Sequence, residues 1–217
     1  MNIQKPKAII FDWDNTLIDS WSVILDALNF TFLSFGKKPW SLNQAKKKVR
    51  KSLRDSFPEL FGKNWEEAAE IFYKRFEDIH ISNLKPMNGA QKMLSQLLEQ
   101  NIFMGVVSNK NGTLLRKEVC HLGWEKYFRS LVGASDAIRD KPSTEPVNLA
   151  LSNYKYKNDN NIWFVGDSDI DMECAIKSKL IPILLRKRLP ETREFNNYPP
   201  EHHIVDCQAL SNLIKKM

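Results

Sequence analysis

Two carboxylates stand two residues apart in Phe11-Asp12-Trp13-Asp14-Asn15-Thr16-Leu17, directly after the apolar run Ala8-Ile9-Ile10-Phe11. A hydroxyl follows two residues later. In extended backbone, side chains at i and i+2 share one side. Asp12 and Asp14 therefore converge where a buried strand ends. Like charges this close repel, and each disfavours ionisation of the other. A bound cation, a shared proton, or both would relieve the repulsion. A polar turn after a strand, where Asp and Asn are common, is the plainer alternative. This stretch alone does not separate the two.

Two further sites follow apolar runs, and a third lies between the third and fourth strands. Ser108-Asn109 comes after Ile102 to Val107. Gly166-Asp167-Ser168-Asp169-Ile170-Asp171 comes after a run ending at Val165. Arg139-Asp140-Lys141-Pro142 lies between them. Each has an ordinary reading: Ser108-Asn109 as a helix cap, Lys141 as an exposed loop lysine, Asp169 and Asp171 as acids that favour a helix N-terminus. Taken together, they bring one hydroxyl, one ammonium and several carboxylates to the carboxyl ends of strands. That is where open α/β sheets bind ligands.

The set suits phosphoryl transfer. A carboxylate is already anionic at neutral pH, and its difficulty is approaching an anionic phosphate. A hard divalent cation on oxygen ligands removes that repulsion, and Mg²⁺ is the usual choice. Asp12 and Asp167 are the expected carboxylate ligands, with the Asp14 backbone carbonyl as a third. Lys141 would neutralise phosphoryl oxygens, and Ser108, Asn109 and nearby N–H groups would bond them. Asp14, with its pKa raised by a neighbouring carboxylate, would protonate the leaving alkoxide and later accept a proton from water. The intermediate would be an aspartyl phosphate on Asp12.

These residues need a scaffold. The pattern gives a first strand over roughly residues 7–12. Three helices follow: one with Trp21, Ile24, Leu25, Leu28, Phe32 and Phe35 on one face, one with Leu42, Ala45, Val49 and Leu53, and one from about Trp65 to Ile79. Pro86 and Gly89 then punctuate the chain. From Ala90 strands alternate with helices: strands at 102–107, 130–133, 161–165, 181–185 and 203–205, and helices between and after them, one of them running from Val147 to Tyr154. Alternation of this kind predicts an α/β fold, a Rossmann-like parallel sheet with helices on both faces. The α-helical block is then an insertion after the first strand.

Composition narrows the class. The chain has 217 residues, 42% hydrophobic and 11% aromatic, enough for a sizeable core. No apolar run approaches ~18 residues, so no membrane span is expected. The apolar run before Asp12 is only four residues long, too short for a signal peptide. Cys120, Cys174 and Cys207 are few and widely spaced, as in a reduced cytoplasmic chain. His202-His203 near Cys207 reads as a loop entering a strand rather than a metal site. The net charge of +6 is concentrated in Lys37 to Arg54, which holds eight basic residues and no acidic one. That run is either a solvated helix face or a field that steers anions. A basic module binding nucleic acid, with the acidic set idle, is the alternative from another class, but it leaves the acidic set without a purpose.

The motifs resemble those of the haloacid dehalogenase superfamily of phosphohydrolases. Asp12-Trp13-Asp14-Asn15-Thr16 is similar to its first motif, and Ser108, Lys141 and Gly166-Asp167-Ser168 with Asp171 to the second, third and fourth, in order, across about Ile9 to Leu185. The resemblance implies residues 1–19 and 85–217 as the catalytic core and residues 20–84 as a helical cap domain setting substrate specificity. It implies Asp12 as nucleophile, Asp14 as general acid/base, Asp12 and Asp167 as Mg²⁺ ligands, and Asp171 as support for the metal site or Lys141. Ser108-Asn109-Lys110 and Lys141-Pro142 look most like the phosphoglycolate phosphatase-like members. The acid at Asp14 favours a phosphatase over dehalogenases, phosphonate-cleaving members or P-type ATPases. A sugar phosphomutase uses the same two carboxylates. The expected partner is a small phosphorylated metabolite such as phosphoglycolate, a sugar phosphate or a nucleotide. No membrane and no nucleic acid is expected, and the chain should be a monomer or weak homodimer. Two residues depart from the pattern: Lys179 stands where the family often has Gly, and Thr144 where relatives often have a second Pro.

Overall fold

The computed structural model describes residues 4–49, 51–155 and 161–217. Arg50 of the basic run lies outside them. In chain order the elements are β1 (Ala8–Phe11), α1 (Trp21–Ser34), α2 (Leu42–Lys48), α3 (Leu53–Phe61), α4 (Trp65–Ile79), α5 (Ala90–Glu99), β2 (Phe103–Asn111), α6 (Gly112–His121), β3 (Ser130–Ala134), α7 (Glu145–Ala150), β4 (Ile162–Gly166), α8 (Asp169–Lys177), β5 (Ile181–Leu185), β6 (His202–Ile204) and α9 (Cys207–Lys215). The chain divides into two compact units, Met1–Ile18 with Pro86–Met217, and Asp19–Lys85.

The first unit is built on one parallel sheet in the order β3-β2-β1-β4-β5-β6. Every residue of β1 and of β4 is buried. A sheet covered by helices on both faces requires such unbroken apolar strands. Side chains alternate along β1. Ala8 and Ile10 join Val107, Val132, Phe164 and residues of α7 and α8 in one core cluster, so Ile9 and Phe11 point to the opposite face.

Register places the site. Phe11 lies level with Val106 on β2 and Val165 on β4. The Asp12 N–H extends the ladder by donating to the Val165 carbonyl at 2.8 Å. Asp12, Ser108 and Asp167 therefore lie together at one edge of the sheet. β1 is also where the connections change side, with β2 and β3 on one flank and β4 to β6 on the other. A crevice forms at such a switch point.

Several expected boundaries are corrected. β2 does not stop at Val107. It continues to Asn111 through an irregularity in which Val107 pairs with Val132 and Asn111 with Ala134. The extra residues on β2 form a bulge, which re-aims side chains. The cap of α6 is then Asn111, whose Oδ1 accepts from the N–H groups of Thr113 and Leu114, not Ser108-Asn109. α7 ends at Ala150, short of Tyr154. β6 begins one residue earlier than expected, and the His203 ring Nε2 lies 2.7 Å from the Arg186 carbonyl oxygen.

In the second unit the expected second helix is two. The stripe Leu42, Ala45, Val49, Leu53 spans a break at Val49, which is extended, and α3 restarts after Ser52. The Ser52 hydroxyl donates to the Asp55 carboxylate at 2.9 Å, and this Ser-x-x-Asp signal marks the new start. α2 opens with a capping box between Ser41 and Gln44. Leu28, Phe32, Phe57, Phe61 and Ala68 form the core, with Phe35, Trp40 and Trp65 packed against it. Part of the basic run is engaged locally: Lys48 Nζ lies 4.7 Å from the Trp40 ring centre, Lys46 Nζ 5.6 Å from that of Trp21, and Lys51 pairs with Glu59. Among the described residues, no helix is long and apolar enough to cross a membrane.

Candidate active site

The chain turns sharply after β1. Asn15 takes a left-handed conformation with φ 66°, and the N–H groups of Leu17 and Ile18 both donate to the Trp13 carbonyl. Asn tolerates that region better than most residues. The turn brings the Thr16 hydroxyl back onto Asp12, donating to Oδ2 at 3.0 Å. The other Asp12 oxygen accepts from Lys141 Nζ at 2.6 Å.

Lys141 is the centre of the arrangement. Its ammonium also donates to Asp171 Oδ1 at 2.8 Å, and all three side chains are buried. Burial lowers the Lys141 pKa, but the Asp12 and Asp171 carboxylates outweigh it and hold the ammonium above its ordinary range. The second Asp171 oxygen accepts from the Ser168 N–H at 3.1 Å and hydroxyl at 2.6 Å. This is a capping box at the start of α8, so one acid both caps the helix N-terminus and holds the lysine. Gly166 permits it. A Cβ there would fall 2.4 Å from the Asp171 side chain.

Asp12, Asp167 and Asp171 each offer an oxygen, and these atoms lie within 4.8 Å of one another. Three carboxylates face one ammonium. Burial pushes the Asp12 carboxyl up to about 7, Lys141 pulling it down and Asp171 adding to the rise. Burial, with the Asp171 and Asp12 charges, also pushes Asp167 well above the carboxylate range. Such a cluster is short of positive charge, and its oxygens are the hard donors that Mg²⁺ takes. The donor set fits that ion.

Ser108 is buried at the same sheet edge, its Oγ accepting from the Lys110 N–H at 3.1 Å. Asn109 turns its side-chain amide to the Lys141 carbonyl at 3.1 Å, which ties the β2 bulge to the lysine loop. The Asp14 carboxylate faces a cation. Lys110 Nζ lies 2.8 Å from its Oδ1 and 2.9 Å from Glu118 Oε1. The expectation for Asp14 rested on carboxylate neighbours alone and did not include this ammonium. Its signal was the i, i+2 spacing from Ser108. Arg186 was also not singled out. It forks onto Glu194 at 2.9 and 2.6 Å and donates to the Asp167 carbonyl at 3.1 Å, fixing the loop after β4.

Residues 9–183 match the family described as haloacid dehalogenase-like hydrolase, and the chain belongs to it. It is 27% identical to a phosphoglycolate phosphatase of Photorhabdus laumondii over 177 residues, 78% of this chain and 75% of that protein. It is 23% identical to the pyrophosphatase PpaX of Oceanobacillus iheyensis over 217 residues, 96% of each. The fold is shared with a haloacid dehalogenase-like family hydrolase from Streptococcus pneumoniae, with a TM-score of 0.81 at 20% identity, covering 97% of this chain and 98% of the other.

Proposed function

We propose that this hydrolase is a Mg²⁺-dependent phosphatase that cleaves a small phosphate monoester through an aspartyl phosphate on Asp12. The observation that carries the reading is the buried Lys141 ammonium shared between Asp12 and Asp171, beside a third acid, Asp167. Buried like charges are kept together only with compensation, and here they lie at the switch point of the sheet.

Asp12, Asp167 and the Asp14 carbonyl would hold the ion, which would shield the approach of two anions and polarise a phosphoryl oxygen. An Asp12 oxygen attacks phosphorus, and the bond from phosphorus to the ester oxygen breaks. Asp14 gives its proton to that departing oxygen. Lys141 and the Ser108 hydroxyl balance charge on the phosphoryl oxygens. In the second half Asp14 takes a proton from water, whose oxygen attacks the same phosphorus, and Asp12 is released with inorganic phosphate. Before attack, Thr16 and Lys141 hold the Asp12 carboxylate in place.

Substrate choice is assigned to the helical unit Asp19–Lys85, since the residues above handle only the phosphate. The names of the relatives put 2-phosphoglycolate and inorganic pyrophosphate first in a panel with sugar phosphates and nucleotides. Free phosphate release with Mg²⁺, lost on chelation, is the expected result. Conversion of a sugar phosphate to its isomer without phosphate release would point to a mutase. No turnover of any phosphate ester would overturn the reading.

A further inference from the structure

Lys110 and Glu118 are buried, ionisable and outside the set that handles the phosphate. Lys110 stands on the β2 bulge and Glu118 on α6, and their side chains are 3% and 1% exposed. The Trp13 indole N–H, from the turn after β1, donates to Glu118 Oε2 at 2.6 Å. Glu118 is thus fixed at both oxygens, one by Trp13 and one by Lys110. Trp13 is itself locked by edge contacts with Trp124 and Phe128. Burying such a pair costs desolvation that its mutual attraction rarely recovers, and apolar residues of similar size would serve stability as well. What an apolar replacement would not supply is the ammonium's third contact, the 2.8 Å ion pair to Asp14.

We propose that Lys110 is a positioning residue for Asp14, held in turn by Glu118 and Trp13, and that it fixes the Asp14 carboxyl group for proton transfer to the leaving oxygen. This rests on the acid/base reading of Asp14 given above. The tether has three points on three elements: the turn after β1, the β2 bulge and α6. An acid on a turn would otherwise sample several rotamers. Loss of the tether leaves Asp14 present but misplaced, and small misplacements of a proton donor are costly.

The test uses the dependence on the leaving group. An alkyl alkoxide needs a proton as it departs, whereas 4-nitrophenolate leaves without one. The parameter kcat/KM reports the steps up to cleavage of the ester bond. Lys110→Met is expected to lower kcat/KM for an alkyl monoester turned over in the panel, 2-phosphoglycolate first, about 10- to 100-fold more than for 4-nitrophenyl phosphate. Lys110→Arg should recover part of the difference. Glu118→Gln and Trp13→Phe should show it in smaller measure. They carry the test if thermal unfolding shows that Lys110→Met does not fold. Equal losses on both esters across the folded variants, or no loss, would overturn the proposal. Asp14→Asn run beside them separates the two levels. If it shows the leaving-group dependence and the Lys110 and Glu118 variants do not, the tether is wrong. If it shows none, the acid/base reading fails and the tether falls with it.

Discussion

Burial lifts the Asp12 carboxyl to about 7 while Lys141, at 2.6 Å, pulls it down, and Asp167 is raised in the same sense. A carboxyl whose folded pKa exceeds its unfolded value stabilises the fold fully below the unfolded pKa. That contribution is lost as pH rises through the folded one. The metal-free protein therefore loses stability from Asp12 between about pH 4 and pH 7, and from Asp167 as pH rises through its own raised value. A cation at the cluster offsets the charge that burial penalises. Below the folded value of Asp12 it must displace protons to bind. Mg²⁺ should accordingly raise Tm much more at pH 8 than at pH 5, with proton release on binding near pH 6. Thermal unfolding at millimolar Mg²⁺ checks this, and an equal or larger gain at pH 5 would contradict it. At this scale Asp12, Ser108 and Asp167 were legible in the sequence because each follows an apolar run, and Lys141 because it lies between the third and fourth strands. Lys110 and Glu118 were not. Lys110 stands in the stretch Ser108-Asn109-Lys110, two residues after Ser108, but nothing in the sequence names its partners, and Glu118 lies in the charged stretch Arg116-Lys117-Glu118, with nothing to mark it as turned inward.

The elements show what patterns carry and what they miss. The continuous apolar runs Ala8–Phe11 and Ile162–Val165 identify buried parallel strands directly. The β2 bulge leaves no such mark, because it depends on how Val107 to Asn111 pairs with β3. Likewise, the stripe through Leu53 keeps helical spacing across the break between α2 and α3, so only Ser52 and Asp55 signal the restart. Lys179, noted as a departure, has a structural cost. It closes α8 in the left-handed region with φ 58°, its N–H bonding to Ile176 and that of Leu180 to Ala175. Glycine favours that position after a helix. A side chain in that region costs about 1–2 kcal/mol, and glycine's extra chain entropy returns about 0.5–1 kcal/mol of it. Lys179→Gly should therefore stabilise the protein by about 0.5–1 kcal/mol, a rise of about 1–4 °C in Tm, with turnover unchanged. A lower Tm would show that the Lys179 side chain has a role that outweighs the strain.

In the whole molecule, one parallel sheet brings together residues far apart in the chain. Asp12 and Lys141 are 129 positions apart, and Lys141 and Asp171 are 30. The sheet order does this by placing β1 between β2 and β4, so the three carboxyl ends meet. Strand–helix alternation was enough to anticipate that edge. The identity of the substrate is not written there, because residues that handle a phosphate are indifferent to what it is attached to. The central claim is that Asp12 itself receives the phosphoryl group. The most direct measurement is acid quenching during turnover of a panel substrate with Mg²⁺, followed by mass mapping of the peptides. Asp14→Asn, which should form the intermediate and hydrolyse it slowly, is the protein to use. The expected result is a phosphoryl adduct on the peptide carrying Asp12, absent when Asp12→Asn is added and with turnover abolished in Asp12→Asn alone. Substantial activity in Asp12→Asn, or an adduct on another residue, would contradict it.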